Sequence, residues 1–306
     1  MTSLVDAHRA YRDDLLKHCL LISMGVDGLY GRSGTFEMIV ERINSAFSAV
    51  GDPDRPDVMR FPPGIGKWQL EKSGYLKSSP QLVGTIHSFT GSDRDHRALL
   101  ETLDQGGDWT LGQKTTDVAL APAACYGVYP AIAARGRMPA EGALVDCYTY
   151  VFRHEPSIDP ARMQMFRQRE HVRLGTESEA LTFRKLWMER GRAIISSFGL
   201  PFEVDVANDP FFGRTGKLLA TSQREESLKF ELLVPITSTE QPTACVSFNY
   251  HRDLFGQAWG IETSTGAVAH TACVGFGVER ITLALLKHHG FALEKWPKQV
   301  RDALGL

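Results

Sequence analysis

The sequence lacks several features that would assign it at once to a class of proteins. No apolar run is long enough to span a bilayer, and residues 1–9 are charged where a signal peptide needs an apolar core. The five cysteines are widely scattered with no closely spaced pair, which favours reduced thiols over a disulfide framework. The formal net charge of -2 provides no global positive field for nucleic acid. We therefore expect a cytoplasmic protein without membrane association.

Helical periodicity and capping signals predict a series of helices. Ser92 with Asp95 and Thr176 with Glu179 have the spacing of capping boxes, in which two residues satisfy each other's free backbone N–H groups. Helices are predicted over residues 4–21 and 36–50, from 92, from 176 to about 197, from about 280, and within the alanine-rich segment 119–134 from Pro122.

Alternating apolar residues predict antiparallel strands between these helices. Residues 144–153 and 165–173, joined by a polar turn, indicate a long hairpin. Further strands are predicted over residues 58–61, 228–235, 244–250 and 258–263. Consecutive strands with interspersed helices favour one α+β domain over residues 1–306 rather than an alternating βαβ fold.

Two segments of the sequence contain side chains suited to phosphate binding. Arg153 and Glu155 lie two apart at the end of the predicted hairpin strand, where a guanidinium can bind phosphate oxygens and a carboxylate can accept from an amine. A surface salt-bridge ladder is the alternative. Near the C-terminus, Gly275, Gly277 and Arg280 depart from the dinucleotide-binding pattern G-x-G-x-x-G because the sixth position is arginine.

Together these segments resemble the signature motifs of class II aminoacyl-tRNA synthetases, and most closely those of the seryl branch. The F-R-x-E at 152–155 with R-x-x-x-F at 162–166 is similar to motif 2, and G-x-G-x-x-R at 275–280 is similar to motif 3. The likeness extends from about residue 25 onward, and residues 36–63 look like motif 1, the dimer-forming element. The resemblance implies an antiparallel sheet flanked by helices in a homodimer.

The same resemblance gives meaning to Cys125, Glu170 and Cys273. Such widely spaced residues are by themselves more typical of buried thiols and a surface carboxylate than of a zinc site. Archaeal-type seryl-tRNA synthetases, however, hold zinc with a Cys/Glu/Cys set in this order. The resemblance therefore implies Zn²⁺ with a fourth position for the neutral α-amine of an amino acid.

The resemblance also implies an ATP site. Arg153 would stabilise charge on the α-phosphate, Arg280 would hold the β- and γ-phosphates, Phe166 would stack on adenine and Glu155 would bind its amino edge. The other ATP-binding positions implied are Arg162, Met163, Lys229, Ala244, Cys245, Val246 and Ser247. For Lys229, a solvated strand charge is the alternative.

Glu170, Ser247 and Asn249 are the expected amino-acid-binding residues, with glycine, alanine and serine all open as substrates. Bacterial seryl enzymes carry a magnesium-binding glutamate where this chain has Thr243, Ala244 and Cys245. Glu231 and Glu240 are candidate replacements for holding the Mg²⁺ that accompanies ATP, and phosphates with water are the alternative.

The acceptor of the activated amino acid is expected to be a carrier protein. Residues 1–24 provide a short helix where seryl-tRNA synthetases have a long tRNA-binding arm. The chain thus resembles the amino acid:[carrier protein] ligases, truncated homologues of the archaeal-type seryl catalytic domain, which load a phosphopantetheine thiol. A minimal tRNA synthetase and a non-catalytic amino-acid sensor are the alternatives.

A basic helix is the expected docking surface for the acidic carrier. Four cations lie on the helix predicted from residue 176, and an ordinary solvated face is the alternative. They are Arg184, Lys185, Arg190 and Arg192.

Overall fold

The computed structural model describes residues 3–306, except the side chains of residues 214–216, 218 and 219. The helices are α1 Leu4–Lys17, α2 Gly34–Gly51, α3 Lys67–Lys72, α4 Tyr75–Ser78, α5 Asp93–Asp104, α6 Val128–Ala133, α7 Glu177–Ser197, α8 Gly213–Glu225, α9 Leu254–Trp259, α10 Val278–His289 and α11 Lys298–Leu304. The strands are β1 Leu21–Ser23, β2 Tyr30–Arg32, β3 Asp57–Arg60, β4 Gly64–Gly66, β5 Thr85–Phe89, β6 Gln113–Leu120, β7 Ala143–Phe152, β8 Met165–Gly175, β9 Glu203–Val206, β10 Lys229–Val234, β11 Thr243–Arg252 and β12 His270–Gly277.

A seven-stranded sheet organises the molecule, in the order β3-β7-β8-β12-β11-β10-β9. Its neighbours pair antiparallel except β3, which lies parallel to β7 at one edge. The expected hairpin is formed by β7 and β8, with Phe152 opposite Met165. Consecutive strands and flanking helices confirm the α+β prediction.

The capping signals predicted helix starts correctly. The Thr176 hydroxyl accepts a hydrogen bond from the backbone N–H of Glu179, and the Glu179 carboxylate accepts one from the backbone N–H of Thr176. Helix α7 begins at Glu177, directly after Thr176. Its buried face includes Phe183, Trp187 and Ile194, which pack into the main core. Ser92 and Asp95 open α5 in the same way.

Two local predictions are wrong. Residues 258–263 do not form a strand, because Phe255 and Trp259 are buried on one face of α9 and Gly260 ends the helix in the left-handed conformation at φ 66°. Residues 119–134 do not form one helix either. Ala119 pairs with both Ile65 and Thr85 in a three-stranded sheet, and the helix predicted from Pro122 begins only at Val128, after a 3-10 turn over Ala124–Gly127.

Buried ion pairs fasten α2 to the sheet. Asp146 on β7 receives two hydrogen bonds from Arg169 on β8, at 3.0 and 2.8 Å, and Arg169 also donates to the Asn44 carbonyl of α2 at 2.6 Å. Arg167 binds the carboxylate of Glu37 on α2 through both terminal nitrogens and donates to Glu279 at the start of α10. The helix and the two chain segments that bear the arginine motifs are thereby held in one unit.

None of the described helices has the length and apolar character needed to cross a membrane.

Candidate functional site

Two neighbouring rows of side chains on one face of the sheet form the centre of the site. In the first row Glu170, Gly275 and Ser247 lie side by side on β8, β12 and β11. In the second row Cys273 lies beside Asn249, which lies beside Lys229 on β10. Since alternate residues of a strand share a face, both rows point to the same side.

The three predicted metal ligands come together at this face. Cys125, from a turn before α6, lies over the sheet so that its thiol, the Cys273 thiol and the Glu170 carboxylate have ligand atoms within 4.8 Å of one another. All three residues are buried. Glu170 Oε1 also accepts from the backbone N–H groups of Ala124 and Cys125, at 2.9 and 3.4 Å, which orients the carboxylate.

The electrostatics of the cluster suit a divalent cation. Hydrogen bonding with Cys273, followed by burial and the Glu170 carboxylate, raises the pKa of the Cys125 thiol. Burial raises the pKa of Glu170. Three acidic groups buried together favour a cation, which permits all of them to ionise. Ligand atoms bound tetrahedrally to zinc lie about 3.5–3.8 Å apart, so the three residues fit a zinc ion with a fourth position open.

Phe166 lies near two arginines, and because it precedes Glu170 by four residues on β8 it faces the same side of the sheet. The guanidinium carbon of Arg153 lies 5.6 Å from the ring centroid and that of Arg280 lies 5.9 Å from it. Arg153 Nε donates to the carbonyl of Pro122 at 3.1 Å. Arg280 donates to the Ala161 and Ala244 carbonyls, at 2.9 and 2.8 Å. Two oriented cations and an aromatic ring are the groups that triphosphate and adenine require.

The remaining predicted ATP residues surround this group in different ways. Arg162 pairs with Glu155 at 3.1 Å, and Met163 is buried in the main core. Burial raises the pKa of Cys245 to about 12. Val246 packs its side chain into the core on the face opposite Ser247, so a contact with ATP would come from its main chain.

Lys229 is not the solvated strand charge of the alternative interpretation. Its side chain is buried and lies 2.6 Å from Asp209 and 3.1 Å from Glu231. Burial alone would lower the pKa of Lys229, but the two carboxylates outweigh burial and raise it. Of the candidate magnesium ligands, Glu231 pairs in register with Ser247 and so lies in the first row, whereas Glu240 is exposed in a turn.

Gly275 has no side chain to fill the gap between Glu170 and Ser247, its neighbours in the first row. A Cβ atom on Gly275 would lie 3.2 Å from Ser247 Oγ and 3.6 Å from the Glu170 side chain. A Cβ atom on Gly277 would meet nothing closer than 3.5 Å, an ordinary contact. A side chain would therefore crowd its neighbours at Gly275 but not at Gly277.

The basic residues of α7 divide into two pairs. Arg184 is half-buried, donates to the Ser227 carbonyl at 2.7 Å and lies over Phe230. Arg190 binds Asp54 and lies over Trp187. Lys185 and Arg192 are exposed and seven residues apart, which places them on one face of the helix.

Four further residues adjoin the site and were not predicted from the sequence. Asp209 binds Lys229. Glu279, the residue before Arg280, binds Arg167. His251 Nε2 lies 3.7 Å from Cys273 Sγ, and Tyr129 is buried beside Cys125. His251 follows Ser247 and Asn249 at alternate positions of one strand, a signal that could have identified it.

Comparisons with known proteins identify relatives of the chain. No family model matches the chain. The chain is 48% identical over 293 residues to amino acid–[acyl-carrier-protein] ligase 1 of Bradyrhizobium diazoefficiens, covering 96% of this chain and 90% of that protein. Ligase 2 of the same organism is also 48% identical, with 96% and 87% covered. The type-2 serine–tRNA ligase of Methanopyrus kandleri is 29% identical over 211 residues, covering 64% of this chain and 40% of that protein.

Solved structures confirm the class II synthetase-like fold. The seryl-tRNA synthetase of M. kandleri, solved with A. aeolicus tRNASec, superimposes with a TM-score of 0.81 at 20% identity, covering 96% of this chain and 60% of that chain. The seryl-tRNA synthetase of Pyrococcus horikoshii complexed with ATP gives 0.69 at 13% identity, with 96% and 62% covered. With two relatives 48% identical over nearly its whole length, the chain belongs to the amino acid–[acyl-carrier-protein] ligase family.

Proposed function

We propose that this enzyme activates a small amino acid with ATP and transfers it to the phosphopantetheine thiol of an acyl carrier protein. The observation that supports this best is that Glu170 and Phe166, four residues apart on β8 and so on the same sheet face, each belong to a group suited to one substrate. The Cys125, Glu170 and Cys273 cluster is suited to an amino acid's amine, and the Arg153, Phe166 and Arg280 group is suited to ATP. The family to which the chain belongs agrees with the acceptor.

Activation requires the amino-acid carboxylate to meet the α-phosphate of ATP. A carboxylate oxygen attacks the α-phosphorus, the bond to the bridging oxygen of the β-phosphate breaks, and pyrophosphate leaves. Arg153 would stabilise the charge that develops on the α-phosphate, and Arg280 would hold the outgoing phosphates. Lys229, Ser247 and Asn249 would line the space between the substrates, and Gly275 keeps that space open.

Cys125, Glu170 and Cys273 would hold Zn²⁺. When bound, the ion would supply a Lewis-acid position for the neutral α-amine of the substrate, which selects for free amino acids. The α-amine would thereby hold the substrate in place. Ser247 and Asn249 would contact a short side chain, since Asn249 donates to both Ser247 Oγ and Cys273 Sγ. Glycine, alanine and serine remain the candidate substrates, since excluding one methyl group is worth only about 1–3 kcal/mol.

Transfer of the activated aminoacyl group to the carrier would complete the reaction. The phosphopantetheine sulfur attacks the carbonyl carbon of the adenylate, AMP leaves with the bonding electron pair, and the thiol proton is released to solvent. The products are AMP and a thioester on the carrier.

Amino-acid-dependent exchange of pyrophosphate into ATP tests the activation step. We expect exchange with one or more of glycine, alanine and serine in a screen of all twenty amino acids, with Mg²⁺ and zinc-replete protein. Magnesium omission should abolish the exchange, since the metal neutralises the phosphates. Absence of exchange with every amino acid would instead favour the sensor alternative.

A cytoplasmic homodimer is the proposed state of the enzyme. The strand of the motif 1 segment, β3, is the edge of the large sheet, and Val58 on it is 59% exposed. A strand at the edge of a sheet leaves backbone N–H and C=O groups unpaired, and a second chain can pair with them. Sedimentation equilibrium should give twice the mass of the chain, and a monomer at micromolar concentration would contradict the proposal.

The proposed docking surface for the acidic carrier is the exposed pair on α7, Lys185 and Arg192. Arg184 and Arg190 bind groups of the chain itself, so reversing their charge would disturb the fold as well as the surface. Lys185 and Arg192 are the more informative targets.

Charge reversal at Lys185 and Arg192 is predicted to weaken carrier loading selectively. In the double variant Lys185→Glu/Arg192→Glu, we expect the KM for holo-carrier to rise about tenfold or more, because attraction between complementary surfaces becomes repulsion. Pyrophosphate exchange should be unchanged. The matched control reverses Lys17 and Lys295, two exposed lysines outside α7. Equal carrier loading by both double variants would contradict docking on α7.

A further inference from the structure

Each side chain of the Cys125, Glu170 and Cys273 cluster adjoins a hydrogen-bond donor. Glu170 accepts from backbone N–H groups of the turn that bears Cys125. Cys273 Sγ accepts from the Asn249 amide at 3.3 Å. The Cys125 thiol has Tyr129 as its neighbour, because both residues, together with Cys273, belong to one packed cluster of buried side chains.

Tyr129 is fixed in place by packing. It follows Cys125 by four residues, on the first turn of α6, and its side chain is fully buried. Its ring stacks on Phe255 at a centroid distance of 4.0 Å and an angle of 10°. The phenol can therefore direct its hydroxyl toward the cluster with little freedom to turn away.

The hydroxyl of Tyr129 also needs a partner. Its oxygen is buried, and within the described part of the chain no group forms a well-oriented hydrogen bond with it. A buried hydroxyl without a partner is unfavourable. A neutral thiol at Cys125 is a weak acceptor, whereas the thiolate that binds a metal is a strong one. Metal binding at Cys125 would thus provide the acceptor that the hydroxyl lacks.

Charge balance adds a second reason for a donor at this position. Two thiolates and one carboxylate bring three negative charges, and a divalent cation offsets only two of them. The site is buried, so the remaining charge is poorly solvated. A hydrogen bond from Tyr129 would spread that charge over a neutral group and restrict the rotation of the Cys125 side chain.

We propose that Tyr129 is a positioning residue of the metal centre, donating its hydroxyl hydrogen bond to the Cys125 thiolate. This inference rests on the proposed zinc site. Because the phenol touches a ligand rather than the substrates, its effect is on how tightly the metal is held. The same interaction sets the electron density on the Cys125 sulfur.

Replacing Tyr129 with phenylalanine removes the hydroxyl and retains the ring stacked on Phe255. The test uses the full-length protein as wild type, Tyr129→Phe and Tyr30→Phe. Tyr30 is the matched control, since its buried hydroxyl also lacks a partner among the described residues but lies outside the cluster. Zinc affinity is measured by competition with a chromophoric chelator, and the Co²⁺-substituted proteins are compared by absorption spectroscopy.

We expect Tyr129→Phe to bind zinc about 10–100-fold more weakly than wild type. Its sulfur-to-cobalt charge-transfer band should shift to longer wavelength, because a thiolate without the hydrogen bond is easier to oxidise. The Tyr30→Phe protein should match wild type in both measurements. The unfolding midpoints of the metal-free proteins should agree, which separates a metal-centre role from a packing role.

Three results would overturn the inference. Wild-type affinity and an unchanged cobalt band in Tyr129→Phe would overturn it while leaving the zinc site intact. A Tyr129→Phe protein that is already destabilised without metal would assign the hydroxyl to packing. A wild-type protein that binds no zinc would overturn both the zinc site and this inference.

Discussion

At the residue scale, the two arginines that flank Phe166 are held by carbonyl oxygens rather than by carboxylates. Arg153 donates to Pro122, and Arg280 donates to Ala161 and Ala244. A carbonyl orients a guanidinium without neutralising its charge, so both cations remain available to phosphate. The nearby Arg162, in contrast, pairs with Glu155. Arg153 and Arg280 are therefore the residues on which activation depends most.

Removing Arg280 should separate chemistry from metal binding. We expect Arg280→Ala to lower the rate of pyrophosphate exchange about 10²–10³-fold, the usual effect of losing one oriented transition-state donor. Its zinc content should remain that of wild type. Cys273→Ala should lose zinc as well as exchange, since it removes one of three ligands. Metal analysis of both purified variants is the check, and loss of zinc from Arg280→Ala would contradict the division of roles.

Adding one methyl group at Gly275 should impair amino-acid binding. The new Cβ would lie 3.2 Å from Ser247 Oγ, in the space between the predicted substrates. One methyl group in a pocket is worth about 1–3 kcal/mol, so the kcat/KM for the amino acid should fall about tenfold or more in Gly275→Ala. Gly34→Ala is the control, because nothing lies near its Cβ position. An unchanged kcat/KM in Gly275→Ala would contradict the placement of Gly275 at the amino-acid site.

Several site residues could be predicted from the sequence, but their neighbours could not. Cys125, Glu170 and Cys273 were identified through family resemblance, and the structure brings them together. Tyr129 and Asp209 reach the site through the packing of α6 and the pairing with Lys229. Such contacts depend on how non-adjacent segments meet, and no residue spacing encodes that.

At the scale of elements, the link between α2 and β8 supports the whole site. Asp146 and Arg169 are buried together, and Arg169 extends to Asn44 and Ser48 on α2. Glu170 is the next residue of β8. The ion pair thus fixes both the position of α2 and the strand that bears the proposed metal-binding carboxylate.

Breaking this ion pair should destabilise the fold. In Asp146→Asn the Arg169 charge remains buried with a weaker partner, and the free energy of unfolding at pH 7 should fall by about 3–5 kcal/mol. Glu262→Gln, which removes an exposed partner of Arg137, is the control and should change stability by at most about 1 kcal/mol. Urea denaturation of the three proteins gives the comparison.

The pH dependence of Asp146→Asn provides a further test. Burial alone would raise the pKa of Asp146, but hydrogen bonds and charge from Arg169 outweigh it and hold the pKa below its usual value. A lowered pKa stabilises the fold above the unfolded-state pKa of about 3.9, and this contribution is lost as the pH falls through the folded-state value. The stability gap between wild type and variant should therefore narrow below about pH 4. A gap that is the same at pH 3 and pH 7 would contradict the ionic interpretation.

Elements with local signals were predicted well, and elements determined by distant contacts were not. The capping box of Thr176 and Glu179 determines the start of α7 by itself. The alanine-rich segment predicts a helix from Pro122, yet a 3-10 turn over Ala124–Gly127 delays the α-helix to Val128. Arg184 and Arg190 looked like surface cations in the sequence, and only the structure reveals Ser227 and Asp54 as their partners.

At the scale of the whole molecule, one sheet face carries residues of both proposed substrate sites. The order β8-β12-β11-β10 brings together segments from the middle and the end of the chain, so that Glu170, Gly275 and Ser247 form a continuous row. The resemblance to two motifs was sufficient to predict this fold class. The register of the central strands, which defines the row, follows from sheet pairing that the sequence alone does not determine.

The identity of the acceptor is the most direct test of the account. The enzyme is incubated with Mg²⁺-ATP and radiolabelled glycine, alanine or serine, together with phosphopantetheinylated acyl carrier protein, the same carrier without the prosthetic group, or total tRNA. We predict label on the phosphopantetheinylated carrier alone, in a thioester that neutral hydroxylamine releases. Label on tRNA, with none on the carrier, would contradict the proposed function.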